Sequence, residues 1–460
     1  MSGPSDLLLR IATQDRDGPC KPWRFHDRGY YDLTPPSEAF KPDVEPLAEP
    51  DVEPLAEPDS ESIQDESSSS PSQSEPLVAV IGVGYVGEHL VRVFSQCFHV
   101  LGYDVSEARV KELAQCFKKC QRVRFTTSAR DLAEATHFLV SVPTLLHPDK
   151  TIDSSFLRNA LTAVGNYARR GSVVVIESSV AVGMTREFLG PLAREKALFA
   201  GMSPERVDPG RTEPKAEAIA KVISGLDDVV PGSLEAIRAL YSRVFDHIVP
   251  VSRPEVAELS KLYENCQRLV CIAFANEMAD TCDKFGIDAF EVCKAAATKP
   301  FGYMALSPGL GVGGHCIPVN PYYLLANSDF PLLRAATERM RARPAVVAQR
   351  AVDRLLASGG EEARVLIVGM GFKRGQASLA NSPSLDLAKA LVVSGIHVMW
   401  IDPLVLQQAV PQIQCLDMSA WDAGSLERRF ELIIVASRPP GLELGVLDGL
   451  RGVEVDMWCA

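Results

Sequence analysis

From residue 77 onward, apolar runs of five or six residues alternate with stretches of helical periodicity. Leu77 to Ile81 is the first run; Gly82, Val83, Gly84, Tyr85, Val86 and Gly87 follow at once, and then Leu90, Val91 and Phe94 recur at helical spacing. Phe98 to Tyr103 is a second run, closed by Asp104. His137 to Val142 and Val173 to Ser178 are further β-branched runs separated by helical stretches, as a parallel sheet requires. Ser252, with Pro254 and Glu255, reads as a capped helix start, and Gly286 as its stop some thirty residues later. Within it Leu259, Leu262, Leu269 and Ile272, with Val256 and Tyr263 on neighbouring rows, predict a broad apolar face. Arg364 to Val368, His397 to Asp402 and Leu432 to Ala436 are three more strands, the first followed by Gly369, Met370, Gly371, Phe372 and Lys373.

This pattern predicts an α/β chain with two Rossmann-like doubly wound domains joined by a long central helix. The boundaries read from it are 77–250, 251–340 and 341–460, preceded by a tail over 1–76. Composition separates that tail from the rest. DVEPLAEP occurs twice in tandem, from Asp43 to Pro58, and no Lys or Arg lies between Pro42 and Pro76. Of the net charge of −12, the first 76 residues carry −11, from 17 acidic and 6 basic residues. A segment so proline-rich, acidic and poor in apolar residues is expected to be disordered.

The remaining chain is near neutral and offers no basic stripe for nucleic acid. Its apolar runs stay well short of the roughly 18 residues of a membrane span, and the N-terminus has no secretory pattern. Eleven cysteines show neither zinc-ligand spacing nor a disulfide framework, so no metal is expected and the cytoplasm is the expected compartment.

Two stretches carry chemistry. In the first, Gly82 suits a tight turn, Gly84 lets a pyrophosphate approach the helix N-terminus, and Gly87 lets helix pack on strand, with Tyr85 and Val86 completing the cofactor turn. Asp104, twenty residues past Gly84, can accept from ribose hydroxyls and would repel a 2′-phosphate, which points to NAD. In the second, Gly311-Val312-Gly313-Gly314-His315-Cys316-Ile317-Pro318-Val319-Asn320-Pro321 sets one thiol in a turn of glycines and prolines. Gly313 and Gly314 permit positive φ and close approach to a ligand, and Cys316 is a candidate covalent nucleophile. His315 beside it is read as structural, because adjacent residues of an extended turn point to opposite sides. Lys261 and Asn265 are four apart and share one helix face; taken alone that is a solvated face, just as Thr144 alone is a cap and Glu205 a surface charge.

The run AAATKPFGYMALSPGLGVGGHCIPVNPYYL, from Ala295 to Leu324, resembles the catalytic segment of the UDP-glucose/GDP-mannose dehydrogenase family, and most of all its UDP-N-acetylhexosamine 6-dehydrogenase branch. The resemblance implies oxidation of a nucleotide-sugar C6 alcohol to a carboxylate with two NAD reduced, in polysaccharide or nucleotide-sugar biosynthesis, by a homodimer built on the long helix. It implies Cys316 as nucleophile, Lys261 and Asn265 as holders of oxygen charge at C6, and Thr144 and Glu177 in the nicotinamide pocket. Glu205, within Ser203 to Gly210, would be a general acid/base or water-orienting carboxylate. Gly313 and Lys373, with Lys261 and Asn265, would contact substrate.

Two positions depart from the family. Asn320 stands where an Asp is usual in the catalytic set, and an amide cannot take a proton as a carboxylate can. Ala380 stands where a substrate-reading Arg is usual, which removes a bidentate contact. The alternative reading is therefore a catalytically impaired NAD- and nucleotide-sugar-binding paralogue with a regulatory role. A hydroxyacid dehydrogenase of related architecture would have no use for Cys316.

Overall fold

The computed structural model describes residues 75–207, 213–357 and 363–459. The acidic tail expected over 1–76 lies outside them up to residue 74, as do Asp208, Pro209 and Gly210 of the Ser203–Gly210 motif. Every site below lies in one compact unit, Asp65–Lys299 with Tyr303–Ala460.

The first sheet has eight strands: β1 (Leu77–Ile81), β2 (His99–Tyr103), β3 (Val123–Thr126), β4 (His137–Val140), β7 (Val173–Ile176), β8 (Phe199–Met202), β9 (Lys221–Gly225) and β10 (Ile248–Pro250). A small antiparallel hairpin, β5 (Leu145–Leu146) and β6 (Ile152–Asp153), interrupts the series. The helices between strands are α1 (Tyr85–Phe94), α2 (Glu107–Cys116), α3 (Ser155–Tyr167), α4 (Met184–Lys196) and α5 (Ser233–Tyr241). Strand order is β10-β9-β8-β7-β4-β1-β2-β3. All neighbours are parallel except β8 and β9, which run antiparallel.

Continuous apolar strands make sense because both faces of this sheet are covered. Val78 and Val80 of β1 pack with Leu90, Val91 and Phe94 of α1 on one face. Ala79 and Ile81 pack with Leu157, Leu161 and Val164 of α3 on the other. The strands next to β1 lead away in opposite directions, so the carboxyl ends of β1 and β4 form the crevice where such sheets bind ligands.

The central region holds α6 (Pro254–Lys284), α7 (Ala289–Ala296), α8 (Asn320–Leu325) and α9 (Pro331–Ala357). Pro254 at the first helical position starts α6, but the N-cap is Arg253, with no side-chain cap. The Ser252 box expected from sequence does not form, because Glu255 turns instead to Arg186, 2.6 Å away. Gly286, at φ +64°, follows the end of α6 in a left-handed conformation, as expected. Leu262 and Leu269 are buried, whereas Val256, Leu259, Tyr263, Phe274 and Met278 are exposed, so the apolar residues divide between two faces. Helix α9 runs through the 340/341 boundary read from the sequence.

The second sheet, in the order β13-β12-β11-β14-β15, contains β11 (Arg364–Val368), β12 (His397–Ile401), β13 (Gln414–Cys415), β14 (Leu432–Val435) and β15 (Glu454–Met457), all parallel. Helices α10 (Pro383–Val393) and α11 (Ala423–Arg429) accompany it. No described helix is long and apolar enough to cross a membrane.

Candidate active site

The three fingerprint glycines do three different jobs. Gly82 has φ +83°, and a Cβ there would lie 2.9 Å from the Ser141 carbonyl oxygen. A Cβ on Gly87 would lie 1.9 Å from the Gly82 oxygen, so only glycine lets α1 sit so near the turn. A Cβ on Gly84 would meet nothing within 4 Å, which leaves open space at the N-terminus of α1 for a pyrophosphate. Tyr85 and Val86 open that helix, Tyr85 half-exposed. Asp104 Oδ2 accepts from Val83 N at 2.9 Å, tying the end of β2 to the turn. Sequence reading missed Arg109, whose Nε donates to the Val83 oxygen at 2.9 Å while its guanidinium binds Glu88 and Glu112. Only its distance along the chain from the motif concealed it.

The loops after β4 and β7 are joined by hydrogen bonds. Thr144 Oγ1 donates to the Ser179 oxygen at 2.6 Å, and Ser178 Oγ to the Val142 oxygen at 2.7 Å. Glu177, expected to face the cofactor, instead turns into the protein. It is 1% exposed, accepts from Lys221 Nζ at 2.7 Å and from the Tyr241 hydroxyl, and so presents no free carboxylate to a pocket. Burial raises its pKa to about 7 in spite of Lys221. Glu205 shares the same lysine at 2.9 Å and also accepts from the backbone N–H groups of Arg206 and Val207. Burial alone would raise Glu205, but Lys221 overrides it and holds the pKa at about 2. At neutral pH Glu205 is therefore an anion with no proton to give.

The cysteine loop is clamped from the second sheet. Gly314 N donates to the Ala380 oxygen at 2.8 Å, and Asn381 Nδ2 donates back to the Gly314 oxygen at 2.9 Å. Gly314 has φ +93°, as expected. Gly313 does not have positive φ; glycine is needed there because a Cβ would lie 2.8 Å from Phe372 Cβ and 2.9 Å from Pro383 Cδ. The close approach is thus to the protein's own second sheet. Cys316 is exposed beyond this clamp, as is His315.

Lys261 and Asn265 are buried, at 9% and 3% exposure, and form no solvated face. Asn265 Nδ2 donates to Asn320 Oδ1 at 2.6 Å, and Asn320 N to the Cys316 oxygen at 2.9 Å, so α6, α8 and the thiol loop converge. Burial pulls the Lys261 ammonium below the usual lysine range, and Cys316 and Glu205 nearby oppose the drop. The hydroxyl of Tyr323 is buried near Thr144 with no well-formed hydrogen bond, and burial pushes its pKa up to about 12. Lys373 lies at the surface of the loop after β11. Beside β15, a cavity of about 770 Å³ is lined by three arginines and five aspartates, with Arg350 paired to Asp280 and Arg354 to Asp456.

Two family models match: the NAD binding domain of the UDP-glucose/GDP-mannose dehydrogenase family over residues 77–245, and its central domain over 255–338. A UDP-N-acetyl-D-glucosamine 6-dehydrogenase of Pseudomonas aeruginosa is 34% identical over 354 residues, covering 71% of this chain and 83% of that protein. The chain belongs to the UDP-glucose/GDP-mannose dehydrogenase family. A UDP-N-acetyl-D-mannosamine dehydrogenase of Pyrococcus horikoshii is 31% identical over 355 residues, 71% of this chain and 84% of that one. The solved structure of a UDP-D-ManNAc dehydrogenase from Pyrococcus horikoshii superposes with a TM-score of 0.73 at 26% identity, covering 83% of this chain and 99% of that one. The α/β fold with Rossmann-like parallel sheets is thereby that of the family, and the chain is an NAD-dependent dehydrogenase. The open face at Gly84 and the carboxylate at Asp104 fit that cofactor.

Proposed function

We propose that this chain oxidises the C6 alcohol of a UDP-N-acetylhexosamine to the carboxylate, with Cys316 as nucleophile. The observation that carries the reading is one juxtaposition: an exposed thiol on a clamped loop, beside a helix whose buried Lys261 and Asn265 lie on the side facing that loop. The substrate class is supported by the relatives, several of which are UDP-N-acetylglucosamine or UDP-N-acetylmannosamine dehydrogenases.

Bound NAD⁺ supplies the hydride acceptor for each oxidation. Gly82, Gly84, Tyr85, Val86, Gly87 and Asp104 would hold it, with Thr144 on the nicotinamide side. Cys316 adds to the aldehyde left by the first oxidation, giving a thiohemiacetal; the second leaves a thioester, which water cleaves to the acid and the free thiol. Lys261 and Asn265 hold the charge on the C6 oxygen, an ammonium and an amide donor suiting an oxyanion. Glu205, an anion by its surroundings, orients water. Gly313 lets the cysteine loop pack on Phe372 and Pro383, and Lys373 takes the nucleotide.

The assembly proposed is a homodimer through α6, whose exposed Val256, Leu259, Tyr263, Phe274 and Met278 form an apolar stripe. The compartment proposed is the cytoplasm, in keeping with ten unpaired cysteines among the described residues.

The test is NADH production from a panel of UDP- and GDP-sugars. Two NADH per uronate are expected, and Cys316→Ser should yield no acid. A burst of NADH without uronate would refute full catalysis. That outcome belongs to the second reading, an impaired paralogue, which the Asn265–Asn320 bond favours because it replaces a carboxylate with an amide at the thiol loop. Restoring Asn320→Asp with Ala380→Arg separates the two: a large gain from near zero supports the paralogue, and little change supports the enzyme.

A further inference from the structure

The strand that runs against its neighbour brings an unforeseen charge to the ligand edge of the first sheet. Strand β9 is antiparallel to β8, pairing Gly201 with Gly225 and Met202 with Ser224. A parallel strand would begin at the far edge of the sheet; this one begins, at Lys221, on the edge where β7 and β8 end. Continuing the register brings position 221 opposite 205. There Lys221 Nζ lies 2.7 Å from Glu177 Oε2 and 2.9 Å from Glu205 Oε2, and all three side chains are buried.

Two buried carboxylates share one ammonium, so they cannot be equivalent. Glu205 has two backbone donors besides the lysine, whereas Glu177 has the Tyr241 hydroxyl. The remaining charged or titratable neighbours are His89 of α1, whose buried Nε2 has no partner, and Glu217 near it. Arg206 does not neutralise Glu205: its guanidinium donates to the Ala220 oxygen at 2.8 Å and to Glu264 at 2.6 Å. Removal of Lys221 would leave Glu205 with its two backbone donors and without its ion pair, and a buried carboxyl group so placed moves toward its neutral form. Arg206, the next residue along, is held to Glu264 of α6, three residues from Lys261, which brings Glu205 toward that turn of the helix; the charged or titratable groups around Lys261 are Cys316, Glu205, Glu264 and Arg268.

We propose that Lys221 is a positioning residue of the active site: it keeps Glu205 an anion, and Glu205 in turn serves as counter-charge to Lys261 instead of as an acid or base. The row runs Lys221, Glu205, Lys261, Cys316, alternating in sign once the thiol ionises. The inference rests on the proposed function only for what Lys261 and Cys316 then do.

The test follows the ionisation of Lys261 directly, in full-length protein labelled with ¹³Cε-lysine and saturated with NAD⁺, its signal assigned by Lys261→Arg. Lys221→Met should lower the Lys261 titration midpoint so that the deprotonated fraction rises about ten-fold at a given pH, the equivalent of one unit. Lys221→Arg should restore the wild-type midpoint, and the basic limb of NADH production should move the same way in each variant. Glu205→Gln, which keeps the lysine, should reproduce the drop and decides the matter if Lys221→Met does not fold. An unchanged Lys261 midpoint in Glu205→Gln, or in a folded Lys221→Met, overturns the proposal; so does a lower melting temperature alone. If no sugar yields NADH, the proposed function fails while the titration still reports on Lys221.

Discussion

Gly84 and Gly87 lie three residues apart in one turn, yet the structure assigns opposite consequences to the same methyl group. In Gly87→Ala the new Cβ would start 1.9 Å from the Gly82 backbone oxygen and 2.9 Å from Ser141 Oγ. An ordinary contact needs about 3.4 Å, so the turn or α1 must move by more than about 1 Å, and overpacking of this kind costs roughly 1–3 kcal/mol. For a unit of this size that is a drop of roughly 2–12 °C in Tm. In Gly84→Ala the Cβ meets nothing within 4 Å and φ is −65°, which alanine accepts. The loss of a glycine N-cap should cost below about 1 kcal/mol. The methyl would, however, occupy the space through which a pyrophosphate reaches the helix N-terminus. NAD affinity should therefore fall at least about ten-fold, or about 1.4 kcal/mol. Melting with and without NAD, together with calorimetric titration, separates the two. A Gly84→Ala protein that binds NAD like wild type would refute the assignment of that open face to the cofactor.

Three further outcomes are expected. Glu177 has its pKa raised from 4.5 to about 7, so the stability it contributes is fully present below pH 4.5 and is lost as pH rises to 7, by roughly 3 kcal/mol. Glu177→Gln should flatten the denaturant midpoint across that window, and an unaltered slope would show that Glu177 does not titrate there. Tyr323→Phe removes a buried hydroxyl that makes no well-formed hydrogen bond and should leave the unfolding free energy unchanged or up to about 1 kcal/mol higher; a fall beyond about 1 kcal/mol would mean that Thr144 satisfies it. Phe274, 66% exposed on α6, should disrupt the dimer when changed to Glu, read as a halved mass by analytical ultracentrifugation. A Phe274→Glu dimer of wild-type affinity would remove that face from the interface.

What could be read from the chain depended on how local the cause was. The fingerprint was legible because strand, turn and helix are consecutive, and Gly82 and Gly87 answer to each other or to the loop after the adjoining strand. Seven of the thirteen strands of the two sheets, β1, β2, β4, β7, β11, β12 and β14, were legible because burial on two faces forces continuous apolar runs, whereas the shorter or less apolar β3, β8, β9, β10, β13 and β15 were not read. The start of α6 was half legible: Pro254 marks it, but Ser252 does not cap it, because Glu255 has an ion pair with Arg186 some seventy residues earlier. Glu177 was placed in the nicotinamide pocket by the family resemblance. Its actual partners are Lys221 and Tyr241, which no local pattern brings near, since the reversal of β9 is set by tertiary packing. Gly313 was read as a ligand-facing glycine for the same reason: Phe372 and Pro383 fill its space from sixty to seventy residues away. Lys261 and Asn265 were placed correctly on one helix face, and only tertiary packing shows that face to be buried.

The account turns on covalent chemistry at one sulfur. The most direct measurement is intact-mass analysis of enzyme quenched during turnover of UDP-N-acetylglucosamine with NAD⁺, with peptide mapping of the adduct and NADH counted in the same reaction. A sugar acyl group on Cys316, with two NADH per acid released and neither adduct nor acid in Cys316→Ser, is the predicted result. Full uronate production by Cys316→Ser, or an adduct mapped to another cysteine, would contradict it.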